Sequence, residues 1–204
     1  MNTQQLGTVP ESLKEIFSEL AIHTRGSDSI WLVGGSTGLL LQGVQLDALP
    51  RDLDLYADRR DVEDLHRALQ RYSTDDQTES ETPIYRSILS HYEMNGVKVE
   101  LVGAFEVRAM DSEYRVEAEY LARTHAPAVP YGEGETVRLM PLAHELVFNV
   151  LRERPDRYEA IARACRAREP ERHRLALDDL IVRNRFSGEL ADRLRTLLDP
   201  KADS

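Results

Sequence analysis

Asp52 and Asp54 stand one leucine apart in the run Arg51-Asp52-Leu53-Asp54-Leu55. Carboxylates alternating with leucines mark a half-buried strand, so Asp52 and Asp54 project from one face while Leu53 and Leu55 enter the core. Two carboxylates so close repel one another unless a charge neutralises them. A hard cation such as Mg²⁺ does this, taking carboxylates together with substrate phosphates as ligands. A third carboxylate, Glu100, lies in the otherwise apolar run Val97-Lys98-Val99-Glu100-Leu101-Val102, on the same face as Lys98. Upstream, the apolar run Ile30–Val33 stops abruptly at Gly34-Gly35-Ser36. Glycines at a strand-to-helix junction let the backbone approach a bulky ligand, the helix N-terminus offers N–H groups to an anion, and Ser36 adds a hydroxyl donor. Taken singly, a diglycine turn, two solvated aspartates and a polar residue on an edge strand are ordinary features. Their order along one chain is what points to phosphate and metal chemistry.

These residues need a scaffold, and the apolar periodicity supplies one. Leu13, Ile16, Phe17, Leu20 and Ala21 recur at helical spacing from Glu11 to about His23, after Pro10. Ile30–Val33 is too short for a helix and reads as a buried strand; Thr37 to Gly43 reads as a short helix, and Asp52 to Tyr56 as the next strand. Val62, Leu65, Ala68 and Leu69 share a helix face running to about Tyr72, and Ser73 to Glu81 reads as a polar loop. Strands over about 84–93 and 97–102 meet at Asn95-Gly96, a dipeptide suited to a tight hairpin. Tyr114 to Leu121 is a weaker strand, Ala126 to Glu135 a loop, and Val137 to Met140 a short strand. After Pro141 everything reads as helix: about 142–152, 157–168, 171–183 and 187–198, with Pro155 and Pro170 as start signals. The expected fold class is α+β, a small mixed sheet flanked by helices with a C-terminal helical part.

The ordered triple of Gly-Gly-Ser after a strand, Asp-x-Asp on the next strand and a later apolar-flanked Glu resembles the nucleotidyltransferase superfamily. The stretch WLVGGSTGLLLQGVQLDALPRDLDLYAD is most similar to its AbiEii-like and lincosamide nucleotidyltransferase-like branches. The resemblance covers roughly residues 30 to 102 and extends loosely to RHRLALDDL, which is similar to a Lys/Arg-x-Asp-x-x-Asp-Leu helix of many relatives. It implies a nucleotidyltransferase core over residues 1–140 and a helical region over 141–204. It further implies that Gly34, Gly35 and Ser36 hold the triphosphate of an NTP such as ATP, and that Asp52, Asp54 and Glu100 bind two Mg²⁺ ions, with Glu100 as ligand or general base. The implied reaction is metal-dependent transfer of a nucleoside monophosphate to a hydroxyl acceptor, which needs positioning and charge neutralisation more than covalent help. A small molecule, such as an antibiotic, is the expected acceptor. A tRNA or a protein side chain in a toxin–antitoxin pair is the alternative, and a non-catalytic nucleotide-binding or interaction module is a third reading.

Composition narrows the field further. A chain of 204 residues, 41% hydrophobic, can bury a sizeable core. No run reaches the roughly 20 apolar residues that span a bilayer, and the first residues do not read as a signal peptide, so a cytoplasmic protein without membrane association is expected. A net charge of −10 argues against non-specific coating of nucleic acid and suits a cationic acceptor. Cys165, the single cysteine, has no partner for a disulfide or at zinc-ligand spacing and reads as a small buried residue. Residues 152–174 carry eight arginines. They could contact triphosphate or an RNA backbone, but the interspersed acidic residues favour a salt-bridged, solvated pair of helices. The histidines show no ligand spacing, His144-Glu145 lacks the second histidine of a zinc-protease helix, and Gly34-Gly35-x-x-Gly38 fits neither a dinucleotide fingerprint nor a Walker loop.

Overall fold

A computed structural model describes residues 9–199; the amino-terminal start, read above for a signal peptide, lies outside this range. A helix α1 (Glu11–Thr24) leads into β1 (Trp31–Gly34), α2 (Gly35–Leu41), β2 (Asp52–Ala57) and α3 (Arg59–Leu69). Strands β3 (Thr78–Glu81), β4 (Tyr85–Met94), β5 (Val97–Ala109) and β6 (Ser112–Arg115) follow, then α4 (Ala118–Thr124) and the ribbon β7 (Ala128–Pro130) and β8 (Thr136–Arg138). Four helices close the chain: α5 (Leu142–Leu151), α6 (Pro155–Ala167), α7 (Pro170–Arg183) and α8 (Gly188–Leu198). The class is α+β, as expected. The main sheet has the order β1-β2-β5-β4-β3, with β6 on the far half of β5; β2 and β5 run parallel and the other pairs antiparallel.

Local chemistry accounts for most of these elements. Asn95 and Gly96 both take positive φ, 51° and 78°, as a two-residue hairpin turn between β4 and β5 requires. Pro155 and Pro170 open α6 and α7, and the Ser187 hydroxyl accepts from the Leu190 N–H to cap α8. Three expectations are corrected. The polar segment 73–81 ends in β3, which pairs its backbone with β4 at the sheet edge; with side chains solvated on both faces it has no apolar alternation to betray it. The segment 114–121 is a strand only to Arg115, after which Ala118, Leu121 and Ala122 turn a helical face to the core. Residues 126–135 hold β7, paired with β8, rather than loop throughout.

The sheet is buried on both faces. On one, Leu53, Leu55, Val99 and Leu101 pack against Ile16, Phe17 and Leu20 of α1 and Val62, Leu65 and Leu69 of α3. On the other, Leu32, Tyr56 and Val102 pack with Leu146, Ile161, Leu177 and Leu194 from α5–α8, and Cys165 is buried in this second layer. The leucines of β2 thus face α1 and α3, and its carboxylates face the side occupied by α5–α8. No helix is long and apolar enough to cross a membrane among the described residues.

Candidate active site

The strand register sets the three sequence motifs side by side. Gly34 of β1 stands opposite Asp54 of β2, and Asp54 stands opposite Glu100 of β5. With strands about 4.8 Å apart, the turn and two of the carboxylates form a row about 10 Å long across three strands. Asp52 lies one step along the same face, opposite Lys98. The glycines of the turn are required by what packs on them. The ring of Tyr56 covers Gly34, and Gly35, at φ +59°, lies so close against Asp54 that a Cβ there would fall 1.8 Å from the carboxylate oxygen Oδ2. Thr37 anchors the start of α2 by donating its hydroxyl to the Asp52 carbonyl at 2.8 Å.

Three further side chains reach the row from distant sequence. Glu145, wholly buried on α5, accepts a hydrogen bond from the Gly35 N–H at 2.7 Å. Arg157 of α6 donates to the Ser36 hydroxyl at 3.1 Å. Arg152 donates from Nε and Nη2 to Asn149 Oδ1 at 3.1 and 2.7 Å, lies over the Phe148 ring, and its charge acts on both Asp54 and Glu145. On the open side, His91 bridges Asp75 (2.5 Å) and Glu100 (3.2 Å).

Electrostatics mark this place out from the rest of the chain. Burial, then the charges of Asp52 and Glu100, push Asp54 up to about 7, against a pull from Arg152. Burial likewise pushes Glu145 up to about 8, with the Gly35 N–H opposing. Hydrogen bonding to Asp75, with the nearby charge of Glu100, raises His91 above its ordinary value. Buried carboxylates that hold protons near neutrality are groups short of positive charge.

No protein-family model matches the chain, and no curated protein is significantly similar in sequence. A solved structure from Thermotoga maritima, assigned as a nucleotidyltransferase, superposes with a TM-score of 0.58 over 87% of this chain and 99% of its own, at 19% identity. The fold is that of a nucleotidyltransferase. The antibiotic-resistance factor ANT(2″)-Ia also aligns, in its solution structure (TM-score 0.49, 14% identity, 86% of this chain and 94% of that one) and in complex with adenylyl-2″-tobramycin (0.46, 13%, 82% and 98%). Those two scores are too low for the likeness to carry weight.

Within this nucleotidyltransferase fold the donor set suits a divalent cation. Asp52, Asp54 and Glu100 offer oxygen only, and Asp54 is raised first by burial and then by the charges of Asp52 and Glu100, the part that such an ion would relieve. Among the described residues no three His, Cys, Asp or Glu side chains converge as a preformed cage. Mg²⁺ does not require one, since it keeps waters and binds one or two carboxylates together with substrate phosphates. Arg154–Asp156, Arg172–Glu169 and Arg174–Glu171 form the solvated pairs expected of the arginine-rich stretch, whereas Arg152 and Arg157 turn inward to the row. Sequence reasoning missed Glu145, Asn149 and His91 as parts of this place. The available signal for the first two was a run of polar residues inside an otherwise apolar helix, because buried polar groups need partners.

Proposed function

We propose that the chain is a metal-dependent nucleotidyltransferase, moving a nucleoside monophosphate from an NTP to a hydroxyl on a small acceptor, with release of pyrophosphate. The observation that carries this reading is the single row of Gly34, Asp54 and Glu100, flanked by Asp52, beside two inward-facing arginines. Gly34, Gly35 and Ser36 receive the triphosphate, and Arg157, already on the Ser36 hydroxyl, and Arg152 balance its charge. Asp52, Asp54 and Glu100 would hold Mg²⁺, which when bound neutralises the phosphates and favours an in-line displacement. In that displacement the acceptor oxygen forms a bond to the α-phosphorus, the α–β bridging bond breaks, and Glu100, half-exposed at the open side, takes the acceptor's proton. A formal charge of −10 favours a cationic acceptor.

The test is thermal stability with each NTP, with and without Mg²⁺, for the wild type and Asp52→Asn/Asp54→Asn. A ligand that binds only the folded state raises the melting temperature by mass action. One NTP should stabilise the wild type only when the metal is present, and the double variant should lose that effect. If no NTP shifts the melt at any Mg²⁺ concentration, the reading fails. Binding without pyrophosphate release in the presence of hydroxyl acceptors would make the chain a nucleotide-binding module instead.

A further inference from the structure

A second cavity lies away from the carboxylate row, at the other end of α2. It encloses about 570 Å³, within the roughly 300–1,000 Å³ typical of small-molecule sites. Its walls come from four places: the C-terminal end of α2, the α4–β7 connection, the start of α5, and the α6–α7 junction. Ala126, Pro127, Pro141, Leu142, Ala164 and Ala176 give it a smooth apolar lining. Alanines and prolines there leave space that larger side chains would fill.

The polar groups in its lining are Gln42, Arg168, Arg172, His125 and His173, with Glu169 the single carboxylate; burial lowers His173, so the positive charge rests on the two arginines. Glu169 is engaged by Arg172 at 3.1 Å, and His125 is held by Asp179 at 2.7 Å. Arg168 is different. Its Nη1 makes one long contact, 3.4 Å to the Gln42 carbonyl, and among the described residues no carboxylate lies within ion-pair distance of it. A guanidinium carries five donors in a planar fork, so most of this one remains free to meet a planar or tetrahedral anion.

We propose that this cavity is a second binding site, for a small organic anion whose carboxylate or phosphate group pairs with Arg168 and Arg172 while an apolar body rests on the alanine and proline lining. The site is independent of the nucleotide reading. Its occupant would touch both α2 and α5, whose other contacts reach Gly35 and Glu145 in the row.

Calorimetric titration of the whole protein tests the proposal, with phenyl phosphate and benzoate as anionic probes, inorganic phosphate as the probe without an apolar body, and benzylamine as the cationic control. Phenyl phosphate or benzoate should bind with a Kd below about 1 mM, and inorganic phosphate more weakly. Arg168→Ala/Arg172→Ala should weaken the anion by roughly tenfold or more, the size expected for lost charge-assisted bonds. Ala164→Trp, which fills the cavity, should abolish binding, and Asp52→Asn should leave it intact. Circular dichroism on each variant separates lost binding from lost folding, and Arg168→Lys, which keeps the charge, should retain part of the affinity if Ala164→Trp does not fold. Absence of saturable binding of both anions, equal binding of benzylamine, unchanged affinity in the folded arginine variants, or loss of binding in Asp52→Asn would each overturn the proposal.

Discussion

At its first residue α2 meets a carboxylate, Glu145, and just past its last it meets a guanidinium, Arg168. Each has the sign that complements that end of a helix dipole. Each end also carries a glycine at positive φ, Gly35 at +59° and Gly43 at +74°. The surroundings differ. Gly35 is wedged between the wholly buried Glu145 and the half-buried Asp54, both proton-binding near neutrality, whereas Gly43 lies under the far end of an exposed, flexible arginine. One end is rigid and short of positive charge; the other is open and has positive charge to spare. A seven-residue helix therefore separates two electrostatically opposite surfaces by about 10 Å.

Substitutions at the two glycines break this comparison most directly. Gly35→Ala puts a methyl onto the short, half-buried side chain of Asp54, against its Cγ as well as its oxygen, so it should cost about 3 kcal/mol or more in urea unfolding and remove any Mg²⁺-dependent NTP stabilisation. Gly43→Ala, with the same backbone penalty but a neighbour that can swing away, should cost only about 1 kcal/mol. Equal losses at the two sites would show that the difference in surroundings has no energetic weight.

Protons sharpen the contrast next. Asp54 and Glu145, ordinarily near 3.8 and 4.5, are raised to about 7 and about 8. Above pH 4–5 the unfolded chain has lost protons that the folded chain still holds, so stability should fall as pH rises from there through about 8. Denaturation of the metal-free protein at pH 5.5 and pH 8 should reveal a loss of at least about 1 kcal/mol. Asp54→Asn should flatten the dependence, and a flat profile in the wild type would contradict the raised values. The smallest effect belongs to the open end: Arg168→Ala should cost only about 0.5 kcal/mol, the scale of one charge at a helix terminus, and should leave the pH profile unchanged.

What could be read from the sequence follows the same division. The row of Gly34, Asp54 and Glu100 was accessible because each member sits in a strand or turn whose local pattern exposes it: a diglycine after an apolar run, carboxylates at period two, a lone Glu among valines and leucines. Its side-by-side register required the sheet order, which no local pattern carries. Glu145 was out of reach for another reason. Every residue of α5 is buried, so the helix has no polar face, and its polar members His144, Glu145 and Asn149 cannot be sorted into solvated and engaged by periodicity. The inward turn of Arg152 and Arg157 was hidden by the arginines around them, which do form solvated pairs. The cavity beyond α2 draws its walls from segments more than 130 residues apart in sequence, so only the assembled fold displays it.

Cys165 gains a use from its position. It lies in α6, buried in the layer that covers the carboxylate face, and burial pushes its thiol up to about 12. A thiol reagent needs the thiolate and physical access, and the folded protein denies both. Modification must therefore wait for the α6 layer to lift, so the rate of labelling counts openings of the molecule. With one cysteine in the chain there is a single signal to assign, and Ala164 beside it forms part of the cavity wall. The protein thus carries its own clock for how often the helical layer parts from the sheet, and an occupant of that cavity would be felt as a slowing of it.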